Sequence, residues 1–258
     1  MSGHAPASWD ALASRFDDEV CHVLAEDRRK VVARTLAREA RRLKARHPTR
    51  RLHAADFGCG TGRALPLLAR HFDHVLATDV SPACLAVASG LERLPARMRF
   101  LQANLGRPRI ALPVPKPGVD LGLCVNVAIM PHERVRDRVL ANVARHLRPR
   151  GRLLLVVPAL ESQLLVRRRF REWTGSRWRT GRTRDERPVE GLFDVGGAIT
   201  KAWTCEELES LGPRLSCRTV SVDRVEYAWT TEFERPPRSM REPWPFDWLA
   251  VLERNAER

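Results

Sequence analysis

Short apolar stretches alternate along the middle of the chain with segments that have a helical period. Five stretches have the length of a β-strand: 51–57, 74–79, 98–105, 120–126 and 152–158. In the segments between most of them, apolar residues recur every three or four positions, which places them on one face of a helix. Strands that alternate with helices predict an α/β fold, in which helices cover both faces of a largely parallel sheet.

The two ends of the chain and one internal stretch depart from this alternation. Apolar residues at helical spacing predict one or two helices over residues 8–47. Residues 106–118 are rich in proline, so the helix between the third and fourth strands is expected to be missing or reduced. Residues 217–225 and 248–252 are expected to form two further strands, with a bulge or bend near Asp223, where the apolar alternation changes parity.

A glycine-rich turn follows the first strand. The sequence from Asp56 to Gly62 reads Asp-Phe-Gly-Cys-Gly-Thr-Gly, and residues 63–72 have the pattern of a helix. Glycine lets a ligand approach the backbone closely, because it has no Cβ atom and can adopt positive φ. The amides of the turn and of the helix N-terminus then face the ligand. The spacing is G-x-G-x-G, which differs from the G-x-G-x-x-G of a dinucleotide site.

Asp79 ends the second strand, 21 residues after Gly58. In dinucleotide-binding folds, an acidic residue about 20 positions after the glycine turn accepts hydrogen bonds from ribose hydroxyls. The alternative role is a helix cap, but Ser81 and Pro82 already provide a cap and a first-turn proline. We therefore expect Asp79 to be a ribose ligand.

The D-x-G-x-G-x-G sequence at residues 56–62 resembles motif I of the class I S-adenosylmethionine-dependent methyltransferases. The sequence Leu-Arg-Pro-Arg-Gly-Arg-Leu-Leu-Leu at residues 147–155 is similar to the helix–turn–strand that follows motif IV in that family. The resemblance implies an α/β, Rossmann-like, seven-stranded mixed sheet with helices on both faces and an antiparallel last strand. It also implies a methyltransferase domain over residues 49–258, preceded by a helical lead-in at residues 1–48 that covers the cofactor.

The resemblance further implies roles for particular residues, with S-adenosyl-L-methionine as the cofactor. Asp56, Gly58, Gly60 and Gly62 are expected at the methionine zwitterion, Asp79 at the ribose, Asn104 at the adenine, and Asn126 at the methionine or methyl end. Asn104 has the alternative role of an ordinary turn residue. His132 is the candidate general base, and its alternative is a residue at the N-terminus of a helix. No metal site is predicted.

Residues 161–200 are expected to form an insertion on the substrate side. Nine arginines, together with Trp173 and Trp178, lie between residues 161 and 187. Basic residues interleaved with aromatic ones can stack on nucleic-acid bases, and they can equally line a small-molecule pocket. A substrate cap, an RNA surface and disorder of residues 174–187 therefore stay open. Three further residues either reach the substrate mouth or pack in the core: Tyr227, Trp229 and Glu232.

The chain has a net charge of +14, from 45 basic and 31 acidic residues. This charge is typical either of a protein that binds an acidic partner such as RNA, or of an arginine-rich solvated surface. The sequence that begins at Asn126 is neither the N-P-P-Y nor the D-P-P-Y of methyltransferases that modify amino groups of bases. That difference makes the nucleic-acid interpretation weaker.

Cysteine spacing and hydropathy indicate which cellular compartment is expected for the protein. The six cysteines form no C-x-x-C pair, so neither a zinc site nor a redox motif is indicated. No apolar run reaches the roughly 18 residues of a membrane-spanning helix, and the N-terminus lacks the pattern of a secretory signal. We therefore expect a cytoplasmic protein that does not enter a membrane.

These features together predict an S-adenosylmethionine-dependent methyltransferase that acts on an unidentified nucleophile, with a small molecule preferred. Two alternatives stay open. The first is a methyltransferase that acts on RNA or another macromolecule. The second is a module that binds S-adenosylmethionine without catalysis. The oligomeric state is not predicted.

Overall fold

The computed structural model describes residues 10, 22–92, 94, 97–175, 186–195 and 198–256. Within these residues the strands are β1 (His53–Phe57), β2 (His74–Asp79), β3 (Met98–Gln102), β4 (Val119–Val125), β5 (Leu147–Pro158), β6 (Leu192–Val195), β7 (Ala198–Lys201), β8 (Cys217–Glu226) and β9 (Phe246–Arg254). The α-helices are α1 (Val23–Glu26), α2 (Val31–Arg46), α3 (Leu65–Ala69), α4 (Pro82–Ser89), α5 (Glu133–Arg145), α6 (Leu160–Thr174), α7 (Cys205–Glu209) and α8 (Leu211–Arg214). Short 3-10 helices span Pro188–Glu190 and Trp229–Thr231.

Seven strands form one mixed sheet in the order β3-β2-β1-β4-β5-β9-β8. Neighbouring strands from β3 to β5 pair in parallel, whereas β9 pairs antiparallel with both β5 and β8. The last strand is therefore the antiparallel one, as predicted, and it lies inside the sheet between β5 and β8. Strands β6 and β7 form a separate two-stranded hairpin.

Helices cover both faces of the sheet and bury its central strands. On one face α2 packs with Leu36 fully buried, and on the other α5 packs with Val143 fully buried. Successive residues of β5 alternate between these two cores, Leu154 facing the first and Leu155 the second. Each side chain of this size contributes about 1.5–3 kcal/mol when it is fully buried, so the apolar runs of the sequence become the interior of the sheet.

Buried ion pairs lie near the amino ends of the central strands. The carboxylate of Asp120, which is fully buried, accepts hydrogen bonds from Arg50 at 2.6 Å and from Arg148 at 3.0 Å. Glu39, also fully buried, pairs with Arg152 at 3.0 Å. Part of the large arginine content is therefore used inside the fold, where a buried carboxylate requires a partner.

Several element bounds differ from those expected from the sequence. The helix expected over residues 63–72 is shorter and spans Leu65–Ala69. Residues 148–151 were expected to end a helix, but they belong to β5, which begins at Leu147. Pairing of Leu147 with Val119 of β4 extends the strand backwards, so tertiary pairing overrides the local proline and glycine signal. Residues 103–118 contain no helix, as predicted.

The irregularity predicted near Asp223 lies elsewhere in the strand. The register of β8 against β9 shifts between Thr219 and Ser221, and it is regular from Ser221 to Glu226. The change of parity in the sequence instead reflects burial on both faces of the sheet, since Val222 packs against one core and Val225 lies in the other, before the strand ends at Glu226. The aromatic residues that follow, Tyr227 and Trp229, are buried beyond that end.

The geometry of the sheet brings several polar residues to one edge. The carboxyl ends of β1, β2 and β4 lie at this edge, and the antiparallel strand β9 starts there, since its Asp247 pairs with Pro158 at the end of β5. Ligands of open α/β sheets bind outside the carboxyl ends of the parallel strands. The site is therefore expected at this edge.

Candidate active site

The turn after β1 has the conformation that its three glycines predict. Gly58, Gly60 and Gly62 have φ values of 79°, 52° and 87°. The amides of Gly58 and Cys59 donate to the carbonyl oxygen of Thr78 in β2, at 2.7 and 2.9 Å. A Cβ atom on Gly58 would lie 2.3 Å from Cγ2 of Val127, directly after β4. The turn therefore requires glycine at this position, and it lies against the chain that leaves β4.

Asp79, at the end of β2, connects the turn to the next helix. Its carboxylate accepts hydrogen bonds from the amide of Gly60 at 2.8 Å and from the amide of Ser81 at 2.9 Å. Burial raises the pKa of Asp79, and these backbone hydrogen bonds oppose the rise. Ser81, not Asp79, caps α4, because its hydroxyl accepts the amide of Cys84 at 3.1 Å. The ribose role of Asp79 stays a prediction.

The N-terminal segment reaches this corner at Asp10. The carboxylate of Asp10 accepts the hydroxyl of Ser81 and, at 3.4 Å, the amide of Ala83. The helical pattern over residues 8–47 corresponds to α1 and α2 in its second half. Residues 1–9 and 11–21 of the expected cofactor cover lie outside the described part of the chain.

Asp56 is the most deeply buried acid of the candidate cofactor site. It is 2% exposed, and among the described residues its Oδ2 atom has no hydrogen-bond partner. Burial, together with the neighbouring charge of Asp79, raises the pKa of Asp56 to about 7. A buried carboxylate of this kind gains most from a nearby cation. The ammonium group of S-adenosylmethionine fits that requirement, whereas the amides of Gly58, Gly60 and Gly62 already donate within the protein.

Asn126 lies at the carboxyl end of β4 in a left-handed conformation, with φ of 54°. Its backbone amide donates to the carbonyl oxygen of Val156 at 2.9 Å. Its side chain forms a hydrogen bond with the carboxylate of Asp247, which favours the ionised form of that acid. Among the described residues its buried Oδ1 atom has no partner. Asn126 therefore joins the end of β4 to the start of β9.

An acidic cluster continues from Asn126 through Asp247 to Glu232. The hydroxyl of Tyr227 donates to Oδ2 of Asp247 at 2.8 Å. Burial raises the pKa of Asp247 to about 6. The pKa of Glu232 is raised to about 7, first by burial and second by the charge of Asp247. Tyr227 and Trp229 are buried, as one of the two sequence interpretations predicted, whereas Glu232 is half-buried.

Asp247 was missed from the sequence. It stands one residue before the apolar run that starts at Trp248, where an acid looks like the end of a loop. The structure begins β9 at Phe246, so Asp247 lies within the strand. The available signal was an acidic residue directly before the apolar run of the last strand. To use that signal, one would have to know at which edge of the sheet the last strand begins.

Asn104 and His132 lie at the same edge, in exposed positions. Oδ1 of Asn104 accepts the amide of Gly106 at 2.9 Å, the contact expected of a turn residue. His132 is the N-cap residue of α5 without a side-chain capping bond, and its carbonyl oxygen accepts the amides of Val135 and Arg136. Asn104 therefore has the contact of a turn residue and His132 the position of a helix N-cap, which were their alternative roles. The adenine role of Asn104 and the base role of His132 stay predictions.

The segment after β5 folds over the exit of β4. The indole of Trp203 donates to the carbonyl oxygen of Ala128 at 3.0 Å, and the amide of Lys201 donates to the carbonyl oxygen of Ile129 at 2.8 Å. Arg167 of α6 lies 4.5 Å from the ring centre of Phe193 in β6. The hairpin and α6 thus pack together beside Asn126. Trp178 and residues 176–185 of the stretch 174–187, for which disorder was one interpretation, lie outside the described residues. At the two ends of that stretch Thr174 closes α6 and Arg187 pairs with Leu192.

Known proteins resemble this chain in sequence over one domain and in fold over nearly its whole length. Residues 54–151, from β1 into β5, match the family model described as a methyltransferase domain. A search of curated proteins finds no match.

Solved structures of methyltransferases share the fold over nearly the whole chain. A S-adenosylmethionine-dependent methyltransferase from Anabaena variabilis has a TM-score of 0.62 at 14% identity, covering 97% of this chain and 95% of that one. A methyltransferase from Haloferax volcanii, solved in complex with the Trm112 methyltransferase activator, has a TM-score of 0.58 at 16% identity, with coverages of 98% and 96%. The 1,6-didemethyltoxoflavin-N1-methyltransferase from Burkholderia thailandensis, solved with its substrate and S-adenosylhomocysteine, has a TM-score of 0.55 at 20% identity, with coverages of 98% and 91%.

Residues 54–151 thus match a methyltransferase domain, in agreement with the motifs of the sequence, and the structural neighbours show that the chain shares the fold of such enzymes. The structure from Burkholderia thailandensis contains S-adenosylhomocysteine, the product that S-adenosylmethionine leaves after methyl transfer. In the described part of the chain, no helix is long and apolar enough to span a membrane.

Proposed function

We propose that this protein transfers the methyl group of S-adenosylmethionine to a small-molecule nucleophile. The observation that carries the proposal is the confined polar cluster of Asn126, Asp247, Tyr227 and Glu232 beside the glycine turn. Trp229 and Phe233, both buried, pack against α6 next to this cluster. A nucleophile that reaches Asn126 therefore enters among side chains, which suits a small molecule better than the surface of a folded macromolecule.

The residues of the chain bind and orient, while the cofactor supplies an activated methyl group. We propose that Asp56 pairs with the ammonium of the cofactor and that the turn of Gly58, Gly60 and Gly62 lies against its methionine part. The amides of these glycines already donate within the protein, so the turn contributes a close approach of the backbone, which glycine allows because it has no Cβ atom. Asp79 then accepts the ribose hydroxyls. Because the sulfonium is already reactive, most of the rate enhancement is expected to come from positioning, and a base is needed only when the nucleophile must lose a proton.

Two residues are proposed as that base. His132 follows the exit of β4 and is exposed at the start of α5. Asp247 is the other, and its hydrogen bond with Asn126 places it next to the proposed methyl end. Replacing each in turn, His132→Ala and Asp247→Asn, separates the two, because only loss of the true base should lower kcat while leaving the affinity for S-adenosylhomocysteine unchanged.

The test is transfer of label from radiolabelled S-adenosylmethionine to a size-fractionated cell extract. The proposal expects label in the small-molecule fraction, lost in Asp79→Ala and kept in Glu172→Gln, a control on the exposed surface of α6. Label in the RNA or protein fraction would contradict it and favour the macromolecular alternative. Calorimetric binding of S-adenosylhomocysteine without label in any fraction would favour the non-catalytic module.

A further inference from the structure

The outer side of α2 carries only positive charge. Of the residues of this helix that are not buried, all after Val31 are arginine, lysine or alanine. Its single acid, Glu39, is fully buried. We call the basic residues of the helix the basic face of α2; they are Arg34, Arg38, Arg41, Arg42, Lys44 and Arg46. The alanines between them are small and leave these long side chains accessible.

The protein neutralises little of this charge. Glu39 pairs through Oε1 with Arg38 at 3.1 Å and with Arg42 at 3.0 Å. Its Oε2 atom pairs with Arg152 of β5 at 3.0 Å, so one carboxylate serves three arginines. Three arginines of the face form no ion pair with any residue that the structure describes: Arg34, Arg41 and Arg46.

The stability of the helix does not account for the basic face. Like charges four residues apart repel each other, and the face contains three such pairs in succession: Arg34 with Arg38, Arg38 with Arg42, and Arg42 with Arg46. The helix dipole favours acids in the first turn, yet α2 has none there. The general arginine content is not the explanation either, because on α6 the exposed Arg168 has Glu172 as a partner at 2.8 Å. An anionic partner would remove the repulsion on α2.

The basic face offers charge without an apolar anchor. Among the described residues, the exposed large apolar side chains all lie outside α2. Protein interfaces depend on buried anchors, often aromatic, and helices that bind membranes insert apolar residues. A nucleic-acid backbone, in contrast, binds through its phosphates alone. Arginine suits phosphate because its guanidinium group can donate two parallel hydrogen bonds.

The shape of the basic face favours a double helix of RNA. From Arg34 to Arg46 the face is about 18 Å long, which spans about five phosphates along one strand of a duplex. The helix contains no aromatic residue, so it lacks the rings on which single strands stack. Because α2 packs on the sheet through Leu36, it cannot enter the deep major groove in which DNA is read. Double-stranded RNA is recognised mostly by shape, across a wide and shallow minor groove.

We propose that the basic face of α2 binds double-stranded RNA through its phosphates, without reading the base sequence. The pairing of Glu39 with Arg152 places the second half of the face near the amino ends of the strands, whereas the proposed site of methyl transfer lies at their carboxyl ends. The RNA is therefore a docking partner, and the methyl acceptor is a different molecule. The inference does not depend on the proposed function.

The first experiment measures the fluorescence anisotropy of a labelled RNA duplex of about 20 base pairs with the full-length protein. The logarithm of the affinity should fall against the logarithm of the salt concentration with a slope of about −4, as expected for about five phosphate contacts. The double variant Arg34→Gln, Arg41→Gln should bind about tenfold or more weakly and lower the slope by about 2. Arg34→Lys, Arg41→Lys, which keeps the charge, should retain the slope of the wild type.

The matched control removes two arginines from the opposite face of the sheet. Arg134 and Arg138 of α5 are both exposed, and Arg134→Gln, Arg138→Gln makes the same change in net charge. This variant should bind RNA as the wild type does. An equal loss in both glutamine variants would overturn the inference, because total charge would then explain the binding. Unchanged binding in the α2 variant would also overturn it.

The second experiment identifies the partner by competition against the labelled duplex. Duplex DNA of the same sequence and single-stranded RNA should compete about threefold or more weakly than unlabelled duplex RNA, and vesicles that contain phosphatidylserine should compete least. Any of the three that competes as well as duplex RNA would overturn the RNA assignment. RNA that binds and acquires no label from radiolabelled S-adenosylmethionine supports a docking role. Label on the RNA would contradict both the docking role and the proposed small-molecule acceptor, whereas a failure to bind RNA would leave the proposed function intact.

Discussion

The buried carboxyl group of Asp56 should make the protein less stable as the pH rises. Its pKa is raised from 3.8 in the unfolded chain to about 7 in the folded protein. Between these values the folded state holds a proton that the unfolded state has released, so the free energy of unfolding falls with increasing pH. The three units of difference, each about 1.4 kcal/mol, correspond to a loss of about 4 kcal/mol that is complete above about pH 7.

The variant Asp56→Asn should remove this dependence. Asparagine has a similar shape and does not ionise, and the cost of burying its amide does not depend on pH. Between about pH 5 and about pH 7 the wild-type protein should therefore lose about 3 kcal/mol more stability than the variant. The measurement is urea unfolding of the cofactor-free proteins across this range, with the free energy extrapolated to water.

A control of opposite sign is available at Asp73. A hydrogen bond from the amide of Leu52 lowers the pKa of this acid, and its stabilising effect is lost as the pH falls. Asp73→Asn should therefore alter the acidic side of the profile and leave the slope toward neutral pH in place. Parallel profiles for the wild type and Asp56→Asn would refute the reasoning, because they would show that Asp56 is ionised at no cost in the folded state.

Three other predictions concern the two edges of the sheet. Gly58→Ala should cost about 2–4 kcal/mol of stability and weaken binding of S-adenosylhomocysteine, since alanine must adopt a φ of 79° with its Cβ 2.3 Å from Val127; urea unfolding that matches the wild type would contradict this. Asp120→Ala should cost about 3 kcal/mol by leaving Arg50 and Arg148 without their partner, with binding of S-adenosylhomocysteine unchanged in calorimetry. The affinity for S-adenosylhomocysteine should rise from about pH 6 to about pH 8 as Asp56 ionises, and a flat affinity would exclude Asp56 as the ammonium partner.

The parts of the site that local sequence determines were predictable. A strand, a turn that needs positive φ at Gly58, and an acid at the end of the next strand follow from neighbouring residues alone. The seven-stranded mixed sheet and its antiparallel last strand came from the family resemblance, and the structure confirms both. Predicting these features requires no knowledge of the contacts between segments that lie far apart in the chain.

The parts that depend on distant contacts were not predictable. Asp247 acquires its place from the return of β9 alongside β5, which puts it beside Asn126. The proline and glycine near residue 150 favour a helix stop, yet pairing with β4 draws Leu147 into a strand. In both cases the deciding interaction joins segments far apart in the chain, so a local pattern cannot reveal it.

The buried carboxylates at the two edges of the sheet differ in their partners and in their pKa values. This difference links the stability of the fold to the proposed function. At the amino edge Asp120 has arginine partners, and Glu39 is paired with Arg152 on β5. At the carboxyl edge burial raises the pKa of Asp56, Asp247 and Glu232. A protein with so many arginines could have paired these acids too, at a gain in stability. The proposed cofactor is a cation, so it would relieve the cost of the carboxylate it meets, and an arginine placed there would compete with it.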